Sequence, residues 1–368
     1  MLRKPFWIGL SILLLTWSIL TLTNFPFQGF FSGWDNLHPE FNLPLNAWRA
    51  LVGVWQEHQG LGHVGGHGYA ATLPHTLIIW LLSLVIPTQY LRSVFTFFAL
   101  LAGAIGAYML IAHLLRDKQE FWRYGGALCG SLFYLLNFAT VQQFYIQLEA
   151  FIIQYATIPW LFYLVFLLLH SWNRRTFLLF LVISSLATIQ GFIPPLFVVY
   201  GFSLGLILAF YFFQHISWSR WNTCIGIAGA TLFINAYWLL PVIHYSATGS
   251  NVFLNAYNNI LSTQSWIETN ATYGTLQNLA LLIGFPSKAV DTVNGLQTPI
   301  FQPWLNHFAH PAITGLGLIF FSFILLGIVH FVRRQKKAEE RALVAIFFVL
   351  FALLATQIPG ISQVSEVL

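Results

Sequence analysis

Nine apolar stretches, at about 6–23, 93–115, 124–138, 148–170, 176–191, 194–213, 222–243, 311–332 and 341–356, follow one another along these 368 residues. Such a series leaves one practical solvent. A hydrocarbon core about 30 Å thick is crossed by about 20 apolar residues coiled as helix, and inside it every backbone N–H and C=O has to be satisfied within the segment. Composition agrees, with 57% hydrophobic and 7% charged residues where soluble domains carry about 25% charged. The 36 Phe and 14 Trp suit a lipid-facing perimeter with interfacial aromatics. The expected fold class is all-α: a polytopic membrane bundle of about nine transmembrane helices, one domain over residues 1–368.

Topology turns on one further apolar stretch, 75–91. If it crossed the membrane, the loop with Arg116, Lys118 and Arg123 would face outward. If it lies along the outer interface, Arg3, Lys4, Arg116, Lys118, Arg123, Arg174, Arg175, Arg220, Arg333, Arg334, Lys336, Lys337 and Arg341 all face the cytoplasm, and only Arg49, Arg92 and Lys288 face outward. That second arrangement obeys the positive-inside rule in every loop, and Pro87 and the short length suit a re-entrant or juxtamembrane helix. The first run follows Arg3 and Lys4 but is too long for a signal peptide and lacks a small-residue cleavage site, so the N-terminus is placed in the cytoplasm of a bacterial plasma membrane. The basic residues therefore mark a membrane side, not a nucleic-acid site. Two large extracytoplasmic loops result, 24–92 and 244–310. Nothing after the ninth run caps a domain, so the chain is expected to be truncated at its C-terminus. Cys129 and Cys224 both sit in apolar stretches and are read as buried packing residues.

Most carboxylates fall at the outer face: Asp35, Glu40, Glu57, Glu149, Glu268, Asp291 and Glu366. Asp35 closely follows the first helix, in Gly33-Trp-Asp-Asn-Leu-His-Pro-Glu40. A carboxylate at the lipid–water boundary is partly desolvated, which raises its basicity and suits a general base for a sugar hydroxyl; a lone Asp before a proline is also an ordinary turn residue. Glu149 begins an apolar span, where an ionisable group is costly without water or a partner, although the helix dipole favours an acid there. Gln142, Gln143, Gln147 and Gln154 could line a polar cavity and bind sugar hydroxyls. Arg49 offers a bidentate fork to a lipid phosphate, or pairs with Glu40 or Glu57. His58, His63, His67 and His75 crowd one Gly-rich loop, but their spacing matches no standard zinc pattern. Gly-rich backbone approaching a ligand is the preferred reading there, with a divalent metal left open. Asn270-Ala-Thr272 is formally a glycosylation sequon.

These residues resemble the GT-C superfamily of membrane glycosyltransferases, whose pattern is an acidic residue in the first outer loop, juxtamembrane helices there and many transmembrane helices. Asp35 and the 75–91 stretch fit it. Within the superfamily the chain is similar to the N-terminal membrane region of the mycobacterial-type alpha-(1→3)-arabinofuranosyltransferases over roughly residues 24–210. The landmarks are Asp35, Arg49-Ala-Leu51 followed by Trp55, Gly68-Tyr69 leading to Pro74, Glu149 before Ile158-Pro-Trp160, and Gln190-Gly191. The resemblance implies a GT-C-like bundle with Asp35 and Glu149 as catalytic carboxylates. Substrate-binding roles are assigned to Arg49, Glu40, Glu57, Gln147, His67 and Tyr69. The donor expected is a polyprenyl-phosphate sugar, with membrane lipid around it and a cell-envelope glycan as acceptor. The chain lacks the soluble carbohydrate-binding part of such enzymes, and its His-rich loop is outside their pattern.

Two other classes stay open. A transporter or flippase of lipid-linked saccharides would place ionisable residues mid-membrane and break its helices in two matching halves. A non-catalytic envelope assembly protein would use the two outer loops as partner surfaces.

Overall fold

The structure is a computed structural model that describes residues 4–31, 38–56, 62–64, 68–249, 251, 255, 265, 267–293, 295–333 and 337–359. Helix dominates. Contacts divide the chain into two compact units, one of Met1–Leu136, Gln147–Leu208 and His215–Asn251, the other of Asn137–Ile146, Ala209–Gln214 and Val252–Leu368.

The first unit is built from α1 (Lys4–Asn24), α2 (Leu43–Leu51), α3 (Leu73–Leu82), α4 (Thr88–Leu114), α5 (Glu120–Leu136), α7 (Glu149–His170), α8 (Arg174–Ala187), most of α9 (Pro194–Gln214) and α10 (Trp218–Thr248). Helix starts follow local chemistry. Asn42 Oδ1 accepts from Leu45 N at 3.2 Å, Asn173 Oδ1 from Arg175 N at 2.8 Å, and Ser217 Oγ from Arg220 N at 3.3 Å, each satisfying a donor that has no partner within its own helix. Prolines open α2, α3 and α9, where a missing N–H costs nothing.

Helices α4 and α7 form the centre. Lipid provides no hydrophobic drive between helices, so close backbone approach and interhelical hydrogen bonds take its place. A methyl on Gly103 would strike Tyr155, and one on Gly106 would strike Trp160. Trp160 Nε1 donates to Ala102 O at 2.8 Å, Ser131 Oγ to Ala104 O at 2.6 Å, and Trp17 Nε1 to Phe97 O at 2.7 Å. Tyr134 stacks on Tyr155 at 4.4 Å. A two-stranded ribbon, β1 (Trp55–Gln56) with β2 (His63–Val64), and three 3-10 turns, Pro39–Phe41, Tyr69–Thr72 and Thr188–Phe192, also belong to this unit.

The second unit contains α6 (Phe138–Ile146), α11 (Leu276–Leu281), the hairpin of β3 (Val290–Val293) and β4 (Leu296–Pro299), α12 (Gln302–Ala309), α13 (Pro311–Arg333) and α14 (Ala338–Leu354). The hairpin pairs Val293 with Leu296. Phe321 is the one buried residue of α13, as expected of a helix that lipid surrounds.

Seven helices among the described residues are long and apolar enough to cross a membrane: α1, α4, α7, α8 with its 3-10 extension, α9, α10 and α13; α5 with α6 makes an eighth if the break at Asn137 lies within one span. Nine spans are therefore not confirmed: seven, or eight with that pair, meet this length and hydropathy among the described residues. The stretch 341–356 forms α14, whose 17 residues reach only about 26 Å. The stretch 75–91 is not one helix: α3 ends at Leu82, too short to span, and Thr88 already begins α4. Of the two cysteines, Cys224 is buried as expected, whereas Cys129 is exposed on α5, because an all-apolar helix in lipid gives no periodicity by which to tell its outer face.

Candidate functional site

Arg92 lies inside the first turns of α4, and its guanidinium is 5% exposed. Its Nε donates to Glu40 Oε1 at 2.9 Å, its Nη2 lies 3.4 Å from Glu40 Oε2, and its Nη1 donates to Glu149 Oε1. One arginine therefore ties two carboxylates together, from the 3-10 turn Pro39–Phe41 and from the first residue of α7. His38 Nδ1 adds a contact to Glu40 Oε1 at 3.3 Å. Burial pushes the Glu40 pKa up, but the hydrogen bond and charge of Arg92 outweigh it and hold the carboxyl below the usual range.

Beside this clamp lies a narrow cleft with Arg49 and Glu149 as its charged lining. Tyr69, Asn46, Thr72 and His75 also face it. Arg49 makes no hydrogen bond or ion pair with any described residue, and its Nε is buried without a partner. The expected alternative pairing of Arg49 with Glu40 is not formed, because Arg92 occupies Glu40. Tyr69 packs edge-on against Phe192 at 5.6 Å, and burial raises its pKa while Arg49 partly offsets the rise. His75 is held neutral: burial first, then the charge of Arg92, pushes its pKa down to about 3, and its ring packs 4.7 Å from Phe95.

Two glycines shape the floor. A Cβ on Gly68 would collide with the carbonyl of Gly191, and one on Gly191 would collide with Trp238. The turns that carry Tyr69 and Phe192 thus touch backbone to backbone.

The site stands at one end of the helices. Arg92 and Glu149 open α4 and α7, whereas Arg116, Arg174 and Arg175 follow the far ends of those helices. From Arg92 to Arg116 the helical rise is about 36 Å.

The structure brings together Glu149, Arg49, Glu40 and Tyr69 from the sequence-derived set. Gln147 is fully buried and does not line the cleft; its Nε2 donates to Thr96 Oγ1 at 3.1 Å, and its backbone holds the left-handed φ of 54°. Such a conformation in a non-glycine residue stores strain, here at the break that releases Glu149 into its helix. Gln142 bonds Leu282 O at 2.9 Å, and Gln154 bonds Leu196 O at 2.9 Å. Asp35, Glu57, His58, His67 and Glu366 lie outside the described residues. Among the described residues no group of three or more His, Cys, Asp and Glu side chains is placed to hold a metal.

Arg92 and His75 are the site residues to which sequence reasoning gave least weight. The available signal was the position of Arg92 between the apolar stretches 75–91 and 93–115, where a charge without a partner is expensive. Compared with protein-family models, curated proteins and solved structures, the chain has no match.

Proposed function

We propose that this chain is a membrane glycosyltransferase, passing a sugar from a polyprenyl-phosphate carrier to a cell-envelope glycan at the extracytoplasmic face. The observation that carries the reading is that Arg49, which no described residue pairs, shares one cleft with a clamped carboxylate, Glu149. That cleft lies at the end of the bundle away from the basic turns, which the positive-inside rule assigns to the outer face. A polyprenyl phosphate presents its charge at the depth of a helix end and its hydrocarbon to lipid. Arg49 has the fork to receive such a phosphate, and Glu149, Tyr69 and Asn46 supply acceptors and donors for sugar hydroxyls.

In the transfer, the acceptor hydroxyl oxygen attacks the anomeric carbon while the bond from that carbon to the phosphate oxygen breaks. The bonding pair leaves on the polyprenyl phosphate, the configuration inverts, and the hydroxyl proton passes to a base. A phosphate leaves without protonation, so one base suffices where a glycosidase needs two carboxyl groups. By the family resemblance that base is Asp35, close in sequence to Pro39, which lines the cleft.

The test uses the purified chain in lipid nanodiscs with polyprenyl-phosphoryl arabinofuranose radiolabelled in the sugar and an arabinofuranosyl oligosaccharide as acceptor, and follows label transferred to the acceptor. A folded Asp35→Asn protein is expected to lose at least about 100-fold in rate, and Arg49→Gln to raise the donor KM. Undiminished turnover in folded Asp35→Asn rejects that base. Movement of intact donor across vesicles without bond breakage would identify a transporter instead.

A further inference from the structure

A second cleft lies wholly within the unit that carries the large loop 244–310. It is framed by α6, the segment 270–274, α11 and the turn down to Pro286. Its walls are fixed. Gln142 accepts from Gly284 N at 3.2 Å and donates to Leu282 O at 2.9 Å. Thr356 Oγ1 donates to Ala271 O at 2.7 Å, and Gln357 N to Gly274 O at 3.2 Å, which ties the segment 271–274 to the end of α14. Leu282 adopts a left-handed φ of 55° to close α11.

Against these fixed walls stand polar side chains that the fold does not use. Gln143, Asn270 and Asn278 line the cleft, and their side-chain amides hydrogen-bond no described residue. The Tyr273 Oη is buried, and no described residue hydrogen-bonds it. Lys288 Nζ sits 5.3 Å from the centre of the Tyr273 ring and holds it in place. Among the described residues no charged side chain lines this cleft; the remaining surface is apolar, from Leu279, Ile283, Phe285 and Leu354.

We propose that this cleft binds a neutral saccharide. Each primary amide offers two donors and a carbonyl acceptor, and a phenol offers one donor and an acceptor. Vicinal hydroxyls need that mixture, and the C–H faces of a sugar ring need the apolar patches between. A hydroxyl buried without a partner costs stability, and a ligand that satisfies it accounts for its placement. An anionic ligand would meet no cation in the lining. The inference does not depend on the transferase reading, since binding requires no turnover.

The experiment uses the full chain in lipid nanodiscs, avoiding sugar-headed detergents, and measures Kd by isothermal titration. An arabinofuranosyl hexasaccharide and maltohexaose are the neutral probes, and hexagalacturonate is the anionic one. The expected result is binding of a neutral probe, weakened about tenfold by Tyr273→Phe and by Gln143→Ala. Asp35→Asn leaves that Kd unchanged, so failure of the transfer reaction and failure of this site are told apart. Tyr273→Phe is expected to keep or raise Tm, because it removes a hydroxyl with no protein partner. The proposal is overturned if neither neutral probe binds at millimolar concentration, if both variants bind like the parent, or if hexagalacturonate binds more tightly.

Discussion

Arg92 carries two carboxylates from partners 52 and 57 residues away in sequence. Removing it would leave Glu40 and Glu149 buried against each other with no counter-charge, a loss of about 3–5 kcal/mol for a buried pair. Arg92→Met is therefore expected to unfold at clearly lower temperature in nanodiscs. Arg92→Lys recovers only part, since an ammonium cannot form both sides of the fork. Adding Glu40→Gln and Glu149→Gln to Arg92→Met removes the stranded charges and is expected to recover much of the loss. Stability of Arg92→Met equal to the parent would show that the clamp holds nothing. Both acids of the cluster were legible as candidates from their place at helix boundaries. Their common partner was not, because a pairing over fifty residues leaves no trace in local pattern.

Elements meet at the site through backbone as much as through side chains. The turn Tyr69–Thr72 and the turn Thr188–Phe192 touch at Gly68 and Gly191, and the obstacle to a methyl on Gly68 is a carbonyl that no rotamer change can move. Gly68→Ala is expected to cost about 1–3 kcal/mol as overpacking and, by displacing Tyr69 and Phe192, to weaken donor binding. Gly201→Ala and Gly205→Ala serve as controls, since nothing lies within 4 Å of a Cβ at either position of α9. Denaturation midpoints and donor KM for the three variants check this; equal behaviour would contradict the close approach. The glycines stood in the sequence as family landmarks. That two of them face each other depended on the path of the chain between them.

For the whole molecule, orientation links the bundle to its proposed chemistry. In a background with Cys129 and Cys224 replaced by Ser, Phe41→Cys and Lys118→Cys lie on exposed positions at the two ends of α4 and its flanks. A membrane-impermeant maleimide is expected to label position 41 from outside and position 118 only after the inner face is opened. Labelling of both from one side would place the cleft and the basic turns together and remove the basis for an outward-facing site.

Sequence alone determined the solvent, the helical class and the segregation of basic turns from the Glu149 end, because each rests on one-dimensional quantities: run length, backbone satisfaction in lipid and the sign of charge in short loops. Tertiary structure decided which apolar runs reach membrane length, that Glu40 belongs to Arg92 and not to Arg49, that Arg49 has no partner among the described residues, and that three amides and a phenol of the second unit share a cleft. Those facts depend on distances between residues far apart in the chain. Hydrophobic periodicity, which reports only the faces of single elements, carries no information about them.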